Sequence, residues 1–152
     1  MLVSEILRIK GTVLYTTSPD TPVIEGVKVM AQHDIGSLVV MDHGRMAGLI
    51  TFAEVLKALA DRNGALGELT VNAIAEHEPL TATPTIDVME LRRIMLERHA
   101  RYVPVMEGSM LLGVVSFHDV AKSVYEEASF ENKMLKSYIS DLRSQAQHVL
   151  AA

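Results

Sequence analysis

The chain has 152 residues, of which 49% are hydrophobic and 22% are charged, a composition typical of a soluble globular protein with one compact domain or two packed halves. Its net charge of −5 argues against general binding to nucleic acid or to an anionic membrane, because both need a basic surface. The absence of cysteine excludes disulfides and thiolate metal sites, and no apolar run approaches the roughly 20 residues of a membrane span.

The N-terminal segment, MLVSEILRIK, is too short and too charged for a secretory signal, so we expect a cytoplasmic protein. Its run Val3-Ser4-Glu5-Ile6 resembles Val71-Asn72-Ala73-Ile74 further along the chain. Each half of the sequence therefore has a similar lead-in.

A repeat dominates the next part of the chain. The stretch from Thr16 to Lys57 recurs without a gap, 65 positions later, as Thr81 to Lys122, and 11 of the 42 aligned pairs are identical. Such a repeat predicts two copies of one supersecondary unit. We expect the copies to pack with pseudo-twofold symmetry and to leave two related clefts between them.

The elements of one copy follow from its patterning. After a turn-rich stretch at 18–22, apolar residues at helical spacing predict a helix, and the apolar runs 38–41 and 48–50 predict two antiparallel strands. The capping-box pattern at 51–54 then opens another helix. The second copy repeats this order, with capping boxes at 87–90 and 116–119. We predict an α+β fold in which each copy runs β-α-β-β-α.

The last part of the chain leaves the repeat at about Ser129 and is predicted to form a third long helix, which we expect to dock near a dimer interface. The predicted organisation is a first repeat at 1–62, a linker at 63–70, a second repeat at 71–128 and a C-terminal amphipathic helix at 129–152. The apolar face of that helix is Phe130, Met134, Leu135, Tyr138, Ile139 and Leu142.

Three motifs carry a family resemblance: the turn and helix from Ser18-Pro19-Asp20, the run Val103-Pro104-Val105, and above all residues 113–119 (GVVSFHD). Occurring in order and twice, they resemble a tandem pair of CBS domains, the module named after cystathionine β-synthase, over about residues 1–128. The lead-in and tail resemble small stand-alone bacterial members. The resemblance implies a non-catalytic sensor of adenosine-containing ligands (AMP, ADP, ATP, NAD or S-adenosylmethionine) that often forms a flat homodimer.

By this resemblance, the stronger ligand site lies in the cleft beside the capping box at 116–119. The Asp119 carboxylate would accept both ribose hydroxyls, while Ser116 and the start of its helix would receive a phosphate. Arg101 is the expected phosphate ligand, because its guanidinium matches phosphate oxygens, and the first repeat supplies the adenine slot. The residues implied for this site are Tyr15, Ile35, Gly36, Ser37, Arg101, Ser116, His118 and Asp119.

The symmetric cleft would use Thr51 and Glu54. Glu54 replaces the aspartate usual in the family, and its extra methylene misplaces a bidentate contact. The stand-alone relatives also tend to carry a charged stretch at 51–54 that this chain lacks, so we expect this cleft to be weak or empty. The residues facing the pair would be Leu80, Thr81, Ala82, Ala100 and Tyr102.

A structural interpretation competes with the sensor. Both capping pairs could serve only to stabilise two helix starts, and the chain would then be a ligand-free module that dimerises or docks on a partner protein. The six histidines match no zinc spacing, and no nucleophile–base pair or phosphate loop is present. We therefore predict no metal site, no resident cofactor and no enzymatic activity.

Overall fold

The computed structural model describes residues 1–11 and 13–151, which form six helices and five strands. In chain order these are α1 (Val3–Lys10), β1 (Thr16–Thr17), α2 (Val23–His33), β2 (Ser37–Asp42), β3 (Arg45–Thr51), α3 (Phe52–Asp61), α4 (Val71–Ile74), α5 (Val88–Arg98), β4 (Tyr102–Glu107), β5 (Met110–Ser116) and α6 (Phe117–Ala151). The α+β fold predicted from the sequence is confirmed. Within the described residues, no helix is long and apolar enough to cross a bilayer.

The first repeat forms a three-stranded sheet in the order β1-β2-β3. Strand β1 runs parallel to β2, and β2 pairs antiparallel with β3. The hairpin turns at His43 and Gly44, which both have positive φ, and that conformation matches the right-handed twist of the flanking strands. The predicted order of strand, helix, strand, strand and helix is thus present in this copy.

The second repeat keeps the hairpin but nearly loses its first strand. Strands β4 and β5 pair antiparallel with a register shift after Val105, as β2 and β3 do after Val40. The predicted first strand is reduced to one parallel bridge between Ala82 and Val105. The cause lies at Pro104, which occupies the place of Val39: the Val39 amide donates to the Tyr15 carbonyl at 3.2 Å, and proline has no N–H to donate.

The two repeats exchange their lead-ins. Val3 and Ile6 of α1 are buried in the core of the second repeat, whereas Val71 of α4 is buried in the core of the first. The backbone contacts match: the Val3 amide donates to the Ile86 carbonyl at 3.0 Å, and the Val71 amide donates to the Thr21 carbonyl at 2.8 Å. Because each half closes the core of the other, the halves are held together by hydrophobic burial as well as by the chain.

Two local expectations were wrong. No separate helix starts near Ser129, because α6 runs unbroken from Phe117 to Ala151 with no glycine or proline to interrupt it. It is about 52 Å long at 1.5 Å per residue. The capping box at 87–90 is also only half formed: Asp87 accepts from the Met89 amide at 2.8 Å, but the Glu90 carboxylate pairs with Arg93 instead of returning to the cap.

Candidate functional site

A cavity of about 510 Å³ opens between the repeats at the start of α6. Its walls come from the segment before β1, from the α2–β2 junction and from the second hairpin. A volume of this size falls within the range of small-molecule sites. Seven of the eight residues predicted for the stronger site line this first cleft: Tyr15, Ile35, Gly36, Ser37, Arg101, Ser116 and His118.

The eighth residue, Asp119, contacts the wall from α6. Its carboxylate Oδ2 accepts the Ser116 amide at 2.9 Å, while the Asp119 amide donates to Ser116 Oγ at 3.0 Å. The two residues therefore form a reciprocal capping box at the start of α6. The same Oδ2 accepts the Lys10 ammonium at 2.7 Å, and Lys10 also donates to the Val114 carbonyl at 3.0 Å.

These contacts keep Asp119 ionised. Burial would raise the pKa of its carboxyl group, but the hydrogen bonds from Lys10 and Ser116 outweigh burial and lower that pKa below its ordinary value. The Asp119 side chain is 19% exposed to solvent. No hydrogen bond to its other oxygen, Oδ1, is found among the described residues. Asp119 thus offers an anionic acceptor beside the cavity.

The far wall of the first cleft depends on a glycine. A Cβ on Gly36 would collide with the hydroxyl of Tyr102 and lie 2.6 Å from the ring of Phe52. Tyr102 and Phe52 also pack edge to face, with ring centroids 6.3 Å apart. Tyr15 lines the cavity further along and stacks on His33 at 4.4 Å between centroids. The aromatic packing around this wall therefore requires the absence of a side chain at position 36.

Sequence reasoning missed several residues of the first cleft. Lys10 is the most consequential, because it is the direct partner of Asp119. It lies outside the aligned repeat, so repeat spacing could not identify it, and the only available signal was the likeness of its lead-in to stand-alone relatives. The other missed lining residues are Val13, Leu14, Asp34, Tyr102, Val114 and Phe117.

A second cavity of about 690 Å³ lies at the start of α3. Five of the predicted residues line it, but Thr81 and Ala82 are not in its wall. Ala82 is buried, and its backbone bonds to β4 on both sides, at Pro104 and Met106. Thr81 is exposed outside this cavity. The predicted residues that do line the second cleft are Thr51, Glu54, Leu80, Ala100 and Tyr102.

The carboxylate of the second cleft is already engaged. Glu54 Oε1 accepts the Thr51 amide at 3.0 Å, and the Thr51 hydroxyl lies 3.1 and 3.0 Å from the two carboxylate oxygens. Burial raises the pKa of Glu54 more than these bonds lower it, and the nearby Glu76 raises it further. Arg98 and His99 also line this cavity. Glu54 therefore differs from Asp119, whose pKa is lowered and whose Oδ1 accepts no hydrogen bond within the described part of the chain.

The two clefts share one wall. Arg101, Tyr102 and Phe117 line both cavities. The repeat register places Gly36 where the second repeat has Arg101, so one arginine lies between two clefts that are otherwise symmetric. Among the described residues, no cluster of three or more histidine, aspartate or glutamate side chains could hold a metal ion.

Comparison with known proteins places this geometry in a family. The sequence profile of the CBS domain matches residues 3–61 and 71–126. A mitochondrial CBS domain-containing protein of Arabidopsis thaliana, CBSX3, is 31% identical over 147 residues, which is 90% of this chain and 71% of that protein.

Solved structures of CBS-domain proteins have the same fold as this chain. A CBS-domain protein of Agrobacterium tumefaciens superimposes with a TM-score of 0.77 and 29% identity, over 81% of this chain and 98% of that one. The CBS domain pair of protein MJ0100, crystallised with 5′-methylthioadenosine and S-adenosylmethionine, superimposes with a TM-score of 0.73 and 26% identity, over 84% of this chain and 98% of that one. CBS pairs are regulatory modules, and the CBS module itself is not catalytic. The chain belongs to the CBS domain family, as a tandem pair like the small stand-alone members.

Proposed function

We propose that this CBS pair is a regulatory module that binds an adenosine-containing nucleotide in the first cleft. The observation that carries the proposal is the ionised Asp119, held beside Ser116 at the start of a helix and next to a cavity of about 510 Å³ that both repeats line. The ligands in the MJ0100 structure, both adenosine derivatives, support the same ligand class.

The charges around the cavity favour a phosphate-bearing ligand. The ribose hydroxyls would bind Asp119 through Oδ1, while the start of α6 and two cations, Lys10 and Arg101, would meet the phosphate. Asp34 is the acidic side chain among the lining residues. AMP, ADP, ATP or NAD therefore fits this lining better than S-adenosylmethionine, whose sulfonium would face Lys10 and Arg101.

Nucleotide binding would regulate through Lys10. This residue is the last of α1, whose Val3 and Ile6 lie in the core of the second repeat. A phosphate that draws the ammonium away from Asp119 would favour a different position of α1. A ligand shifts a conformational equilibrium only through unequal affinity for its two states, and contact with Lys10 supplies that inequality.

Isothermal titration calorimetry on nucleotide-stripped protein tests the proposal. We expect saturable binding at submillimolar concentration, with at least one of AMP, ATP and NAD binding more tightly than S-adenosylmethionine. Protein purified without stripping should also show excess absorbance at 260 nm. If none of the four ligands binds at submillimolar concentration, the sensor function is wrong.

A ligand-free structural module is the second candidate, and one observation favours it: both capping boxes are complete without any ligand. Such a module would serve as a homodimer or as a docking platform for a partner protein in the cytoplasm. If this candidate is right, the protein binds no nucleotide, and Asp119→Ala lowers the melting temperature without any effect on binding. Calorimetry and thermal unfolding of the same variant separate the two functions.

A further inference from the structure

One acid in the lining of the first cleft has no partner within the described chain. Asp34 lies at the junction of α2 and β2, and it lines the cavity beside Ile35 and Gly36. None of the ion pairs or side-chain hydrogen bonds found among the described residues includes its carboxylate. The Asp34 carboxylate is therefore available to a ligand in the cavity.

The fold does not need a carboxylate at this position. Asp34 is the C-cap of α2, with φ 52° and ψ 50°, and it ends the helix through its backbone amide, which donates to the Ala31 carbonyl at 3.4 Å. The corresponding cap of the second repeat is His99, also with φ 52°, so the repeat keeps the conformation but not the charge. Glycine or asparagine serves such a left-handed cap as well.

The negative charge of Asp34 is also poorly placed for the stability of α2. The last carbonyls of a helix carry partial negative charge, so an acidic side chain beside them is electrostatically unfavourable. Residues that go against a local preference of this kind are expected at functional sites, where another interaction compensates the cost. The position of Asp34 in the cavity wall supplies such an interaction if the ligand donates a hydrogen bond there.

The cations and the acid of the first cleft lie on different repeats. Arg101 belongs to the second repeat, and Lys10 ends α1, which is packed in the core of that repeat. Asp34 and the last carbonyls of α2 belong to the first repeat and form a negative wall. This wall repels phosphate and attracts hydrogen-bond donors. A nucleotide with an anionic phosphate and an amino group on its base has the same polarity.

We propose that Asp34 recognises the amino group of adenine by accepting a hydrogen bond from N6. This inference rests on the proposed function, in which the ribose binds Asp119 and the phosphate meets Lys10 and Arg101. The base is then left to face the wall from the first repeat, where Asp34 is the charged acceptor. A charged acceptor binds an N–H donor more strongly than a neutral one, so Asp34 determines the specificity of the cleft for the base.

Two ligands that differ only in this amino group test the inference: AMP and purine riboside 5′-monophosphate. Isothermal titration calorimetry on the nucleotide-stripped, full-length protein should show that AMP binds about 20-fold more tightly, since the contact is a hydrogen bond to a charged group. The ribose and the phosphate are common to both ligands. The ratio of the two dissociation constants therefore isolates the contact with the amino group, whatever a substitution does to phosphate binding.

Substitutions of Asp34 should reduce this ratio. Asp34→Gly, which keeps the left-handed conformation without strain, should lower it to about three-fold or less. Asp34→Asn should give an intermediate ratio, because its amide oxygen is a neutral acceptor. Asp61→Asn is the matched control, because it removes the same charge from an exposed acid at the end of α3 that lines neither cavity. Its ratio should equal that of the unaltered protein.

Thermal unfolding of Asp34→Gly without ligand provides a second readout. We expect no loss of melting temperature, because glycine suits the left-handed cap and the unfavourable charge at the end of α2 is removed. A lower melting temperature together with an unchanged ratio of dissociation constants would assign Asp34 a structural role and overturn the inference.

Three binding results would also overturn it. Equal affinity of the unaltered protein for AMP and purine riboside 5′-monophosphate would mean that the amino group is not recognised. A preference for AMP that survives in Asp34→Gly would mean that another acceptor binds the amino group. In both cases a nucleotide still binds, and the proposed function stands. If AMP does not bind at all, the role of Asp34 is wrong, and the titrations with ATP and NAD decide the proposed function by themselves.

Discussion

The two clefts are related by the internal repeat, yet they differ in what surrounds the carboxylate. Asp119 has the ammonium of Lys10 at 2.7 Å, whereas Glu54 has another acid, Glu76, nearby and both its oxygens close to Thr51. The pKa of Asp119 is consequently lowered, and that of Glu54 is raised. The same capping box can thus hold a carboxylate whose pKa is lowered or one whose pKa is raised, depending on what the lead-in segments place beside it.

The difference arises from residues outside the aligned repeat. Lys10 comes from the end of α1, and Glu76 lies just after α4, where its amide bonds the Leu49 carbonyl at 2.9 Å. Because the lead-ins are exchanged between the halves, each one reaches a cleft from the opposite half. Two copies with similar strands and helices therefore acquire unequal clefts through their connecting segments.

The largest expected effect separates the two carboxylates directly. Asp119→Ala should weaken nucleotide binding about 20-fold or more, since a hydrogen bond to a charged group contributes about 2 kcal/mol. Glu54→Ala should change it less than about two-fold, because Glu54 is engaged with Thr51. Calorimetry with the tightest-binding nucleotide measures both. Equal losses in the two variants would contradict the ranking of the clefts.

The next effect concerns Lys10. Lys10→Met should weaken AMP binding about five-fold, or about 1 kcal/mol, because a charge-assisted contact to phosphate is lost. Adenosine should bind about as well as before, since its ribose would bind Oδ1 of Asp119, whereas Lys10 bonds Oδ2. Lys28→Met, which removes an exposed lysine paired with Glu25 on α2, is the control. If Lys10→Met weakens AMP and adenosine alike, Lys10 does not bind phosphate.

The smallest effect is on stability, and it should have opposite signs in the two clefts. The lowered pKa of Asp119 contributes stability above the ordinary aspartate pKa and loses it as the pH falls through the folded value. Asp119→Asn should therefore cost about 1 kcal/mol at pH 7. The raised pKa of Glu54 contributes stability only below the ordinary glutamate value and loses it as the pH rises through the folded value.

It follows that Glu54→Gln, which keeps the acceptor of the capping box, should stabilise the protein by about 0.5 kcal/mol or less at pH 7. Urea unfolding of both variants at pH 7 and pH 3 measures these changes, because the stability contributed by Asp119 is lost only below its ordinary pKa. The cost of Asp119→Asn should shrink at the lower pH. Destabilisation by Glu54→Gln at pH 7 would show that its charge is favourably placed and that the electrostatic contrast between the clefts is wrong.

Much of the fold could be predicted from the chain alone. The repeat, the two hairpins and the capping boxes at 51–54 and 116–119 are local patterns, and local patterns specify elements. The weak first strand of the second copy was missed, although Pro104 was visible in the sequence. Its effect depends on which carbonyl lies opposite the missing N–H, and that is a tertiary relation.

The lining of the candidate cavities was predictable only in part from the repeat and the family resemblance. Repeat symmetry and family resemblance predicted that Tyr15, Gly36 and Ser116 lie in one cleft, although Tyr15 and Ser116 are more than a hundred positions apart, and all three line the first cavity. The same reasoning placed Thr81 and Ala82 in the second cleft, where the structure does not bring them. Thr81 is exposed outside the cavity and Ala82 is buried in the core of the second repeat, and the spacing of the repeat does not reveal either placement.

The sequence by itself determined the repeated architecture, because apolar periodicity and turn residues act over a few positions and occur twice. Only the tertiary structure decided which carboxylate has a lowered pKa and a lysine beside it. That choice follows from the exchange of lead-ins, which carries Lys10 across to Asp119 over 109 positions of chain. Coulombic contact falls off with distance in space rather than along the sequence, so the inequality of the two clefts appears only once the chain has folded.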